Sequence, residues 1–224
     1  MTKLRFNRLD YHRLLRCMHD VASGNAGIEC TLCNLRTVFL LIFFTHYTVN
    51  RMIHPEVLEL LNAQMNKEFY SWYLYLSVST YFNSQDLEGF EQWTNTQAQE
   101  ELMHGMKIYN YILERKGSVD FRDIHKPSMT WASPVEAVSA IYEHERSLSQ
   151  TIHQILKVAR EHADYSAEVF LHWFITEQLE EEVMADRVLQ KLKMVGDNSG
   201  ALLMLDSQIT QIAAAASARA AQNA

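Results

Sequence analysis

From His54 onward, apolar residues recur every three or four positions, the spacing that lines one face of a helix. Four long segments carry the pattern. Segment A, about His54 to Asn83, turns Leu61, Met65, Glu68, Trp72, Tyr75, Ser79 and Phe82 inward. Segment B, about Glu88 to Lys116 with Gly117 as its stop, turns in Phe90, Thr94, Gln97, Glu101, His104, Ile108 and Tyr111. Segment C opens at Ser133-Pro134-Val135-Glu136: an N-cap serine, a first-turn proline and a capping-box glutamate. Its stripe is Val138, Ile141, Glu145, Leu148, Ile152, Ile155 and Ala159. Asp164 caps segment D, which runs to about Val195 with Phe170, Phe174, Glu177, Glu181, Met184 and Val188 inward. A shorter amphipathic piece, Leu202, Leu205, Ile209 and Ile212, precedes an Ala-rich tail from Ala213.

Helices of about 30 residues are ~45 Å long. The A–B and C–D joints are short, so each pair forms an antiparallel hairpin. The link Ser118 to Ala132, containing Pro127, is long enough to cross the length of a bundle. The expected fold is all-α: a four-helix bundle over 52–196 with a long B–C crossover, then a short fifth helix and tail over 197–224. Composition agrees. Only 7 Gly and 3 Pro disfavour a turn-rich β fold, and 48% hydrophobic residues supply a large core.

The pattern breaks at one place on every long helix. Glu68, Glu101, Glu145 and Glu181 sit where an apolar residue belongs, and Glu101 forms a Glu-x-x-His run with His104. Counted from a turn at Gln85, Glu68 lies 17 residues before, and Glu101 and His104 lie 16 and 19 after. Counted from Asp164, Glu145 lies 19 before and Glu181 lies 17 after. Antiparallel partners equidistant from a turn lie side by side, so the acids of each hairpin share a level. Gln178 and Glu177 each lie one turn from Glu181. A single such acid is readily explained as a solvated residue or half of a buried ion pair, and a lone Glu-x-x-His is common. Four inward acids at matched heights, with no inward Lys or Arg beside them, point instead to bound metal. Carboxylates with one imidazole suit iron, manganese or zinc, and the excess of oxygen favours iron.

Charge and cysteine usage narrow the function. The chain carries −7 overall, but residues 1–51 hold 7 Lys/Arg against 3 Asp/Glu. The remainder holds 13 against 24, a net −11. An acidic body disfavours nucleic acid and suits cations. Cys17, Cys30 and Cys33 all precede residue 52, so the body has no disulfide framework and fits a reducing compartment. Cys30-x-x-Cys33 lacks the second pair that a rubredoxin-like or zinc-ribbon site needs. The apolar run Val38 to Phe44 is too short to span a membrane and too late for an ordinary signal peptide. Residues 1–51 are therefore expected to be an extension that is either poorly ordered or absent from the mature protein, which would then begin at or near Met52.

The motifs Asn66-Lys67-Glu68-Phe69-Tyr70, Ala98-Gln99-Glu100-Glu101-Leu102-Met103-His104, His144-Glu145 and Glu177-Gln178-Leu179-Glu180-Glu181-Glu182 carry a resemblance. From Met52 to about Ile212 the chain resembles the bacterial non-haem ferritins, and this ligand arrangement is the known one of ferritin-like di-iron proteins. The resemblance implies that Glu68, Glu101 and His104 bind one iron. Glu101, Glu145 and Glu181 would bind a second, with Gln178 close by. Glu100, Glu177, Glu180 and Glu181 would form a third site, and Tyr75 would supply an electron. It further implies a cytoplasmic ferroxidase that oxidises Fe(II) with O2 or H2O2 and stores ferric oxyhydroxide in a 24-subunit cage. Gln178-x-x-Glu181 stands where bacterioferritins repeat Glu-x-x-His. Leu102 stands at their haem-ligand Met, so no haem is expected. A rubrerythrin-like peroxidase is weakened by the missing Cys pair. A DNA-protecting mini-ferritin is weakened by the fifth segment and by a full ligand set within one chain.

Overall fold

In a computed structural model the described residues are 52–223, with side chains through Ile212, and the N-terminal extension 1–51 lies outside them. Five helices follow in order: α1 Pro55–Ser84, α2 Glu88–Glu114, α3 Pro134–Glu161, α4 Tyr165–Val195 and α5 Ser199–Asn223. No strand occurs among the described residues, and none of their helices is long and apolar enough to cross a membrane.

The ends follow local chemistry. Ser133 accepts the Glu136 N–H at 3.2 Å, and the Glu136 carboxylate reaches back to the Ala132 N–H. Asp164 accepts the Ala167 N–H at 3.1 Å. The end of α2 differs from expectation. The helix closes at Glu114, and Lys116, not Gly117, takes the left-handed conformation at φ 57°. Gly117 instead donates to the Ile112 carbonyl at 2.8 Å. A Cβ there would lie 2.8 Å from Leu58 Cδ1, so a larger residue would make that side chain shift.

The link between α2 and α3 lies along α1. Asn62, one turn before Asn66, donates to the Ser118 carbonyl at 3.0 Å and accepts the Asp120 N–H at 2.8 Å. Asn66 repeats this with the Asp120 carbonyl at 2.7 Å and the Arg122 N–H at 2.8 Å. Further on, Ser77 donates to the Ser128 carbonyl. From Asn62 to Ser77 the strap follows α1 for about 22 Å.

The apolar core is in two parts. One gathers Tyr75, Val78, Phe82, Phe90, Trp93, Ile141, Val188 and Leu192 toward the α1–α2 turn. The other gathers Leu61, Met65, Ile108, Ile112, Ile152, Ile155, Leu171 and Phe174 toward the opposite end. On each of the four long helices a short polar stretch separates the two. That stretch is where the sequence places its inward acids.

The fifth segment has a partner within its own chain. Leu205 and Ile209 are buried in the first apolar cluster, and Asp206 accepts the Gly89 and Phe90 N–H groups at 3.1 and 2.9 Å. These are first-turn donors of α2 with no intrahelical acceptor, so Asp206 caps that helix from outside. The stripe thus has a packing surface within its own chain. The helix also runs on through the Ala-rich tail to Asn223.

Candidate metal centre

The polar layer takes side chains from all four long helices. Glu68 and Glu101 are 1% exposed, Glu145 0% and His104 6%. Gln178 and Glu181 are also buried. Glu68, Glu101 and His104 come together so closely that one ligating atom of each lies within 4.8 Å of the others. His104 Nδ1 is 3.6 Å from Glu101 Oε2. Its ring stands edge-on to Trp173, with centroids 5.4 Å apart.

The remaining acids are held in a hydrogen-bonded frame. Tyr75 donates its phenol proton to Glu145 Oε1 at 2.7 Å, and Gln178 donates to Glu145 Oε2 at 2.6 Å. Gln64 donates to Glu68 Oε1 at 2.7 Å, and Thr151 donates to Gln64 Oε1. Gln97 donates to Glu181 Oε2 at 2.7 Å and to Glu100 Oε2 at 2.9 Å, joining the buried layer to its half-buried flank. Glu177 is half-buried and Glu180 exposed. The α4 stripe is rotated from expectation: Phe174, Gln178, Glu181, Ala185 and Val188 face inward, alternating by four and three, so Gln178 takes the place assigned to Glu177. His144, although adjacent to Glu145, pairs with Ser71 Oγ at 2.7 Å and lies off the layer.

Burial dominates the electrostatics. It pushes Glu68 up to about 8, with the neighbouring Glu101 charge adding to the effect. It pushes Glu145 up to about 7 against the hydrogen bonds from Tyr75 and Gln178. Glu101 and Glu181 are raised well above the usual carboxylate range by burial and then by Glu145. Burial and the Glu145 charge raise Tyr75, keeping its phenol protonated and donating. Burial likewise raises Glu177, although His104 pulls it down. Like charges this close cannot all ionise without a cation.

Two oxygens make the need specific. Glu68 Oε2 and Glu101 Oε2 are buried and have no hydrogen-bond partner. Buried polar atoms are rarely left so. Among the described residues, no Lys or Arg forms an ion pair with Glu68, Glu101, Glu145 or Glu181. The donor set is oxygen-rich with one imidazole, which suits iron, manganese or zinc.

Sequence reasoning gave Gln64 and Gln97 no role. A signal was present: a Gln stands one turn before three of the four acids, as Gln64, Gln97 and Gln178. A carboxamide is neutral at every pH and donates two N–H groups, so it orients a carboxylate without neutralising it.

Comparison with known proteins places the chain in a family. Residues 58–195 match the ferritin-like domain family. The chain is 34% identical over 158 residues to a bacterial non-heme ferritin of Staphylococcus aureus, covering 70% of this chain and 95% of that one. It is 33% identical over 162 residues to one of Campylobacter jejuni, covering 72% and 97%. Among solved structures, an open pore ferritin from the hyperthermophilic archaeon Archaeoglobus fulgidus superposes with a TM-score of 0.69 at 40% identity, covering 70% and 98%. A helical bundle carrying a buried acid layer, matched over most of its length to ferritins, belongs to the ferritin family.

Proposed function

We propose that this chain is a ferroxidase and iron store that takes Fe(II) as its substrate at the buried acid layer. The unpartnered oxygens Glu68 Oε2 and Glu101 Oε2, facing His104, carry the reading. Glu68, Glu101 and His104 hold one Fe(II). Glu101, Glu145 and Glu181 hold the second, with Gln178 fixing Glu145. Each Fe(II) gives up one electron. The pair reduces O2 to H2O2, or H2O2 to two waters, with two protons taken up in each case. Tyr75 shares its proton with Glu145, so loss of an electron from the phenol can be matched by proton transfer to that carboxylate. Glu100, Glu177, Glu180 and Glu181 line the flank where a third iron binds, and Gln97 couples this flank to the layer. Ferric product accumulates in a hollow homo-oligomeric shell of 24 chains in the cytoplasm, a reading supported by the likeness to the archaeal open pore ferritin.

Aerobic addition of Fe(II) tests the site. The protein should oxidise about two irons per chain in a rapid phase. Combined Glu101→Ala and His104→Ala should reduce the rate to that of buffer. Rapid oxidation surviving this double change would refute the assignment.

A further inference from the structure

At the end of the bundle remote from α5, a second group of ligating side chains stands apart from the acid layer. His54 precedes α1 and His162 follows α3. Their rings are stacked, with centroids 3.5 Å apart and 14° between planes. Glu56, in the first turn of α1, places Oε2 3.0 Å from His162 Nε2. Its backbone N–H reaches His54 Nδ1 at 3.4 Å. One ligating atom of each residue lies within 4.8 Å of the others. The proposed oxidation uses none of them. Glu68 lies twelve residues beyond Glu56, about 18 Å along α1.

We propose that His54, Glu56 and His162 form a second metal site, for a borderline divalent ion such as Zn(II) or Cu(II). Two imidazole nitrogens and one carboxylate oxygen suit these ions and are poor ligands for Mg(II) or Ca(II). Ligands on a tetrahedral ion at ~2.1 Å are about 3.4 Å apart, and one ligating atom of each side chain already lies within 4.8 Å of the others. The rings are stacked nearly parallel, so binding one ion requires a ring to rotate out of the stack until both lone pairs converge. Glu56 is 68% and His162 28% exposed, so an ion can enter and water can complete its shell. Arg115, at the end of α2, donates to Asp164 at 3.1 Å and to the Met52 carbonyl. A bound ion would fasten the start of α1 to the end of α3.

Cu(II) titration of the full chain, read by electron paramagnetic resonance, tests this. The acid layer offers one imidazole, His104, whereas this site offers two. Wild type and His104→Ala should both show a Cu(II) species coupled to two imidazole nitrogens. His54→Ala and His162→Ala should each lose it, with affinity falling by more than the roughly 10–100-fold that loss of an outer-shell partner costs. Glu56→Gln, which keeps both rings and the backbone cap, should retain the two-nitrogen signal and bind more weakly. Absence of that signal in wild type, or its persistence in both histidine variants, overturns the site. Undiminished affinity in Glu56→Gln overturns the part given to the carboxylate.

Discussion

Glu68 keeps its side chain in the core with one oxygen bonded to Gln64 and the other to nothing. Its ionised form is therefore disfavoured by folding. Its folded pKa, about 8, lies above the ordinary 4.5. The stability it contributes is fully present below about 4.5 and is lost as pH rises through about 8. Glu145, at about 7, adds to the same trend. The metal-free protein should therefore melt at lower temperature as pH rises over this range. Glu68→Gln, close in shape and always neutral, should flatten part of that slope while removing rapid iron oxidation. Thermal melts of both proteins across the range check this, and parallel profiles would contradict it. Glu180 makes the contrasting case. It is exposed and off the inward stripe, so Glu180→Ala should alter iron stoichiometry while leaving the rapid phase intact. Stopped-flow oxidation beside equilibrium iron counts decides it; loss of the rapid phase would mean that the roles are wrongly divided. At this scale the acids were legible because a carboxylate on an apolar stripe violates the pattern. Gln64 and Gln97 were less so, because a lone polar uncharged residue is a mild violation with several ordinary explanations.

Among the elements, α5 departs most from what its sequence suggests. A stripe of Leu202, Leu205, Ile209 and Ile212 says that the segment needs a surface, but not which one. The surface proves to be α2 and the first apolar cluster. The fit is tight: a Cβ on Gly89 would lie 2.0 Å from the Asp206 carbonyl oxygen, so only glycine allows the crossing. Asp206→Ala leaves two first-turn N–H groups of α2 uncapped and should cost about 0.5–2 kcal/mol. Truncation after Gly196 also uncovers the apolar surface against which Leu205 and Ile209 pack, so it should lower the unfolding midpoint further than Asp206→Ala. Denaturant unfolding of the two variants ranks them, and equal midpoints would mean that α5 adds only its cap. The strap between α2 and α3 was legible as a crossing of the right length but not in its route. Its anchors, Asn62 and Asn66, act through side-chain amides on loop backbone, which no periodicity reveals.

For the molecule as a whole, turn-counting recovered the level of the acids because hairpin partners advance by the same 1.5 Å per residue in opposite directions. That rule works within each hairpin. It cannot relate the two hairpins to each other, since the crossover between them is not helical, and the side-by-side register of α1 with α3 emerges only in the folded chain. The rotation of the α4 stripe is likewise fixed by the neighbours the helix packs against, which its own spacing does not show. Metal loading should be felt globally. A ligand that binds only the folded state at 100 times its Kd adds about 2.7 kcal/mol. Zn(II), which occupies carboxylate sites without redox chemistry, should therefore raise the melting temperature of wild type. Glu101→Ala with His104→Ala should show a smaller rise, and equal rises would place the stabilising ions elsewhere.

The division of the core into two apolar halves has a mechanical consequence. Between two firmly packed ends lies a waist whose acids, raised by burial, favour their protonated forms and are tied by hydrogen bonds from Gln64, Tyr75, Gln97 and Gln178. A cation bound there, as proposed, would displace those protons. Once charge is balanced there, the same waist becomes a rivet through all four helices. An ion held at that height would tie the two apolar halves of the core together through all four helices at once.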